Sequence, residues 1–138
     1  MREWQGKRYW LVGASDGLGA ALAQVMSRSG AEVIVSARSE DKLAQVVAGL
    51  PGKASYQVMD IADDESVKSA AAAIGDIDGV VLLAGVYWPF GASEWNADQA
   101  TAMVDINFTG YVRVLGQVVP NFVAKDDGHI VITSSLTG

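Results

Sequence analysis

Three glycines in the segment Gly13 to Gly19, GASDGLG, are spaced G-x-x-x-G-x-G, with Ser15, Asp16 and Leu18 between them. Glycine has no Cβ, so a turn rich in it brings backbone N–H groups close to a bulky anion and tolerates positive φ. The chemistry offered is phosphate binding; the bland alternative is a turn that needs positive φ and holds nothing. The spacing is neither the commoner G-x-G-x-x-G nor a P-loop, because no Gly-Lys-Ser/Thr follows. A second candidate for anion chemistry is Arg38, directly after Ala37. Its planar, permanently charged fork suits a phosphate, and Ala37 brings no carboxylate to repel one. The competing reading of Arg38 is a solvated cation near Glu40 or Asp41, worth little to stability.

These residues must be held by regular elements. Apolar runs predict strands over about Arg8 to Val12, Val33 to Ala37, Ser55 to Met59, Gly79 to Ala84 and His129 to Ser134. The runs VVLL (Val80 to Leu83) and IVI (Ile130 to Ile132) lack alternation, which places both strands in the middle of a sheet covered on both faces. Helical segments separate them. Leu18 to Arg28 carries Leu18, Leu22, Val25 and Met26 on one stripe, with Gly30 as its C-terminal cap. Asp41 to Ala48 follows, closed by Leu50, Pro51 and Gly52. Asp63 reads as the N-cap of Asp64 to Ile74, so the acids Asp60 to Glu65 are read as capping ahead of any metal site. A fourth helical region starts near Ala97, and a longer one runs from Asn107 to Ala124, kinked or ended by Pro120. Its apolar side chains fall on a stripe of Phe108, Val112, Leu115, Val119 and Phe122, with Val114 and Val118 off it, a breadth that suits burial on two sides. Strands alternating with helices build a parallel sheet, and the glycine turn lies between the first strand and the first helix. The expected fold is α/β, a Rossmann-type doubly wound parallel sheet with five strands visible, forming one domain over residues 1–138.

Composition narrows the partners. The 138 residues are 50% hydrophobic, contain no cysteine, and carry a formal net charge of −6. A chain of that length buries roughly two-thirds of its unfolded surface, enough for one core. The acidic balance weighs against coating nucleic acid, which needs clustered cations. Apolar runs all stop short of the roughly 20 residues of a membrane span, and the charged N-terminus argues against a secretory signal. Absent cysteines exclude disulfides and thiolate metal sites and suit a reducing cytoplasm. His129 is the lone histidine, so it builds no triad and no metal site, and a strand-edge role is expected for it.

Five segments resemble, in order along the whole chain, those of the short-chain dehydrogenase/reductase family. VGASDGLG (Val12 to Gly19) is similar to its TGASxGIG turn, with Val12 for threonine. DIAD (Asp60 to Asp63) is similar to the acidic segment after the third strand. LLAG (Leu82 to Gly85) resembles its NNAG, with Leu82 and Leu83 for both asparagines, so apolar packing or backbone bonds must replace their network. DINFTG (Asp105 to Gly110) and HIVITSSLTG match the segments that hold the family's active-site asparagine and serine.

The resemblance implies an oxidoreductase moving a hydride between a nicotinamide and a carbonyl or secondary alcohol. It implies a cofactor site at Gly13, Ser15, Asp16, Gly17, Leu18, Gly19, Arg38, Asp60, Ile61, Ala84 and Gly85. Arg38, helped by Ser15, favours NADP(H) over NAD(H), although Asp16 stands in the turn where relatives that use NADP often carry a second cation. Ser135 is implied to polarise the substrate and Asn107 to hold a water in the proton path; the bland readings are a loop-capping hydroxyl and a helix-capping amide. Tyr9, Tyr56, Tyr87 and Tyr111 all precede Ser135 and none begins the family's YxxxK. The 138 residues are therefore expected to be the cofactor-binding part of a longer protein, with the C-terminal part of the fold absent and no activity alone. The alternative is a non-catalytic nucleotide-binding or interaction module that ends at Gly138. A YxxxK encoded just downstream supports the enzyme, and a stop codon there the module. Tyr87, Trp88, Phe90 and Trp95 either line an apolar substrate pocket or serve packing or a subunit contact. For a last helix of such broad apolarity, the resemblance implies a homo-oligomer.

Overall fold

The computed structural model describes residues 3–135. Five strands, β1 (Arg8–Val12), β2 (Glu32–Ser36), β3 (Ala54–Tyr56), β4 (Gly79–Leu82) and β5 (His129–Ile132), form one parallel sheet ordered β3-β2-β1-β4-β5. From β1 the chain steps outward through β2 and β3, then returns to the other side of β1 as β4. That reversal opens a crevice at the C-terminal ends of β1 and β4.

Helices cover both faces. Alternation along each strand sends Trp10, Val12, Ile34, Val80 and Leu82 to one face, and Tyr9, Leu11, Val33, Val35 and Val81 to the other. The first set packs under α3 (Asp64–Ile74) and α5 (Gly110–Ala124), through Val67, Ala70, Val114, Val118 and Phe122. The second packs under α1 (Gly17–Arg28) and α2 (Glu40–Ala48), through Ala23, Met26 and Leu43.

The expectation of an α/β fold with a doubly wound parallel sheet matches this architecture, and several details correct it. The strand predicted over Ser55 to Met59 is regular only to Tyr56, although Gln57 and Met59 still donate to Val35 O and Ala37 O, each at 3.0 Å. β4 ends at Leu82, beyond which Leu83 and Ala84 N–H both turn onto Val12 O, and β5 ends at Ile132. β5 is not in the middle of the sheet: among the described residues it is an edge strand, with Ile130 and Ile132 exposed.

The predicted stripes of two helices are also corrected. In α1 the buried face is Gly19, Ala23, Met26 and Ser27, whereas Leu18 and Val25 point to solvent. Small side chains let this helix lie close to the sheet. In α5 the buried line is Gly110, Val114, Val118 and Phe122, at intervals of four, so the two valines read as off the stripe are the core ones. Phe108, Val112 and Val119 are exposed.

The last helix is longer than predicted and of three parts. α4 (Ala97–Val104), capped by the Asn96 carboxamide, passes through a widened π turn (Asp105–Thr109) directly into α5. Pro120 does not end it, since the helix runs on to Ala124. The carbonyl of Gly116, which Pro120 cannot bond, belongs to an exposed residue that water reaches. Asp63 caps α3 as predicted: its Oδ1 accepts from Glu65 and Ser66 N–H at 3.0 and 3.4 Å.

Candidate functional site: a cleft at the switch point

The turn after β1 is dictated by its glycines. Gly13 has φ 91°, and a Cβ there would lie 2.4 Å from Ala84 N, so only glycine lets the end of β1 meet the end of β4. Gly19 permits α1 to rest on the turn, since its Cβ would sit 2.5 Å from Gly13 O. Gly13 and Ala14 N–H both donate to Ser36 O, at 2.8 and 3.3 Å, which ties the turn to β2. Asp16 is the residue before α1, and its side chain does not cap the helix. The N–H groups of Gly17, Leu18 and Gly19 therefore have no acceptor among the described residues. A helix start left this way presents donors and the positive end of the dipole to an anion.

Above the turn opens a cleft of about 500 Å³. Gly13, Ser15, Asp16, Gly17, Leu18, Gly19, Arg38, Asp60, Ile61, Ala84 and Gly85 all line it. The walls come from six segments: the glycine turn, the end of β2, Lys42 of α2, the chain from Met59 to Ala62, the loop after β4, and Ile106 of the π turn. Arg38 is exposed on the rim and forms no ion pair with any described residue; the Glu40 carboxylate faces Tyr56 instead. Accepting that phenol's hydrogen bond, Glu40 holds Tyr56 above the usual tyrosine pKa of 10.0. Asp60 turns inward on its own chain, its Oδ1 accepting from Ala62 N–H at 3.0 Å.

Asn107 and Ser135 do not line the cleft. Asn107 sits in the π turn rather than capping a helix, and its carboxamide pairs with the backbone of Val86: Nδ2 donates to Val86 O and Oδ1 accepts from Val86 N–H, each at 2.8 Å. Val86 and Ile106 do line the cleft, so Asn107 stands one layer behind it. Tyr111 donates to Ala84 O at 2.6 Å and braces the same loop. Ser135 lies two residues beyond Thr133, which is fixed to Leu82 O through its N–H at 3.1 Å and its hydroxyl at 2.8 Å. Leu136 to Gly138, the rest of that segment, lie outside the described residues. Leu82 is buried in the core and Leu83 packs against the opposite cluster, so apolar packing and the bonds to Val12 O replace polar side chains here.

One residue that lines the cleft and one that braces its wall were not singled out in the sequence. Lys42, in the first turn of α2, lines the rim and reaches Asp16, with Nζ 3.3 Å from Oδ2. Arg113, on α5, donates to Ile61 O at 3.2 Å and to Asp105 Oδ1 at 2.7 Å, binding the π turn to the wall formed by Ile61. The signal for Lys42 was its place four residues after Arg38. Nothing in the sequence pointed to Arg113, because its partners meet only in the folded chain. His129 starts β5 and meets the Tyr9 hydroxyl through Nδ1 at 2.8 Å, far from the glycine turn along the strands.

Among the described residues no helix is long and apolar enough to cross a membrane. A family model described as short chain dehydrogenase matches residues 7–138. An uncharacterised oxidoreductase of Listeria monocytogenes is 32% identical over 135 residues, covering 93% of this chain and 54% of that protein. Glycine betaine reductase of Emericella nidulans is 33% identical over 140 residues, 96% of this chain but 11% of its own length. A metagenomic short-chain oxidoreductase in complex with NADP has a similar structure, with a TM-score of 0.91 and 28% identity over 98% of this chain and 65% of that one. The chain thus spans about half the length of the Listeria relative. Ordered motifs, sheet topology and family match agree: the chain belongs to the short-chain dehydrogenase family.

Proposed function

We propose that this chain is the cofactor-binding part of an NADP(H)-dependent oxidoreductase acting on a carbonyl or secondary alcohol, in a reducing cytoplasm. The observation that carries the choice of cofactor is Arg38, exposed on the cleft rim without an ion pair among the described residues. A guanidinium left unpaired beside the end of β2, with no acid at Ala37, suits the phosphate on the adenosine ribose that distinguishes NADP from NAD. Ser15 adds a hydroxyl to the same corner.

The residues present fit a dinucleotide. The unsatisfied N–H groups of α1 suit a pyrophosphate, and Asp60 and Ile61, which line another wall of the cleft, are assigned to the adenine side. When bound, the nicotinamide supplies or accepts the hydride. Around it Ala84 and Gly85 offer backbone without bulk, Ser135 is assigned polarisation of the substrate oxygen, and Asn107 is assigned a water in the proton path. Binding Val86 through its carboxamide keeps Asn107 aimed. The exposed line Val104, Phe108, Val112, Val119 and Val123 supports assembly with further copies of the chain.

Separate equilibrium titrations with NADPH and NADH test the reading. NADPH should bind the more tightly, and Arg38→Ala should reduce the difference by roughly tenfold. Equal affinities in the unaltered protein, or an Arg38→Ala protein that binds NADPH as before, would overturn it.

A further inference from the structure

We propose that Lys42 is a second cation for the ribose phosphate, held over the cleft by Asp16 until the phosphate takes it; this rests on the NADP(H) reading above. Asp16 and Lys42 lie on opposite sides of the cleft mouth, one in the glycine turn and the other on α2, and their ion pair bridges it at 3.3 Å.

Charge at this corner decides the matter. Glu40 and Asp41 do not line this end of the cleft. Among the residues that do, Arg38 and Asp16 alone sum to zero, and a carboxylate beside the site would oppose a phosphate monoester carrying more than one negative charge. With Lys42 the corner is positive by one. The Lys42 side chain is 57% exposed and that of Asp16 73%, so the pair is held by little and exchanges readily for a more highly charged partner. The placement of Lys42 supports a role beyond helix stability. It stands in the first turn of α2 beside Glu40 and Asp41, where the helix dipole favours acids and disfavours a cation.

The carboxylate in the glycine turn is thus compensated from another element, by a lysine that also lines the cleft. Lysine suits this exchange, because it is a compact charge on a flexible stem rather than a fork fixed to one geometry.

Equilibrium titration of the full-length protein with NADPH and NADH, for Lys42→Met, Asp16→Asn and the double variant, tests this. Lys42→Met should weaken NADPH binding roughly tenfold, as for loss of one charge-assisted contact, and change NADH binding by less than about twofold. Asp16→Asn should bind NADPH at least as tightly as the unaltered protein. The double variant separates contact from mere neutralisation: it should remain roughly tenfold weaker than Asp16→Asn alone. Unchanged NADPH affinity in Lys42→Met, or a double variant as tight as Asp16→Asn, would overturn the proposal while leaving the Arg38 reading intact. Arg38→Ala in the same series reports on that reading separately, since only its failure removes the phosphate site itself.

Discussion

Asn107 and Val86 are joined like neighbouring strand residues, the carboxamide giving one 2.8 Å hydrogen bond and receiving another from the same backbone unit. The widened turn at Asp105–Thr109 makes this possible by carrying Asn107 to the loop without ending the helix. π turns inside long helices are rare and recur at functional sites. Arg113 reinforces the turn through Asp105 and extends the brace to Ile61.

Removing the carboxamide should loosen the loop after β4. Asn107→Ala is expected to cost about 1–2 kcal/mol in urea denaturation, for two hydrogen bonds of modest net value. The Val86 amide should exchange with solvent deuterium faster than in the unaltered protein. Asn107→Asp should restore part of this protection, because a carboxylate still accepts from Val86 N–H, but not the stability, because it cannot donate to Val86 O.

Ser36 and Trp10 make a second brace, beneath the cleft. Trp10 Nε1 donates to Ser36 Oγ at 2.8 Å, with both residues almost fully buried. Ser36→Ala leaves the indole N–H without its acceptor in the sheet core, and about 1–3 kcal/mol of stability should be lost. A denaturation midpoint unchanged within error would show that another acceptor replaces the hydroxyl.

How much of this was legible in the sequence follows from the range of the forces involved. Gly19 and Asp63 act on residues near in sequence, and their roles could be read directly; Gly13 could be read as a turn glycine, but not the contact with Ala84 that it permits. The buried faces of α1 and α5 could not be read from apolar spacing, because each helix carries two apolar lines and only the approach to the sheet selects one. In α1 it selects Gly19 and Ala23, small enough for close contact; in α5 it selects Val114, Val118 and Phe122 over Phe108 and Val112. The edge position of β5 depends on strand order, which a continuous apolar run such as IVI does not encode. The partners of Lys42 and Arg113, Asp16 and Ile61, lie far away in sequence.

Acid should release one surface contact in a defined order. Lys125 lies 3.0 Å from Asp76 and, through its hydrogen bond and charge, holds that carboxyl below its ordinary value of 3.8. A depressed folded-state pKa means the contribution is complete above 3.8 and fades as pH falls through the lower folded value. Carboxyl NMR titration should therefore find Asp76 among the last acids to protonate, and Lys125→Met should return it upward. An Asp76 midpoint identical in the two proteins would contradict the pairing.

Exposed apolar residues along α4 and α5 predict self-association. Phe108 is 69% and Val123 73% exposed, on a line that also carries Val104 and Val112. Light scattering on the full-length protein should report an oligomer, and Phe108→Glu should shift it toward the monomer. A monomeric unaltered protein would remove the proposed assembly.

Selection of the cofactor is the centre of the account, and one titration addresses it. The unaltered protein, offered NADPH and NADH in separate experiments, should bind NADPH more tightly, by roughly tenfold for each cation that contacts the extra phosphate. Equal affinity for the two would contradict the assignment of Arg38 and, with it, the meaning given to this edge of the cleft.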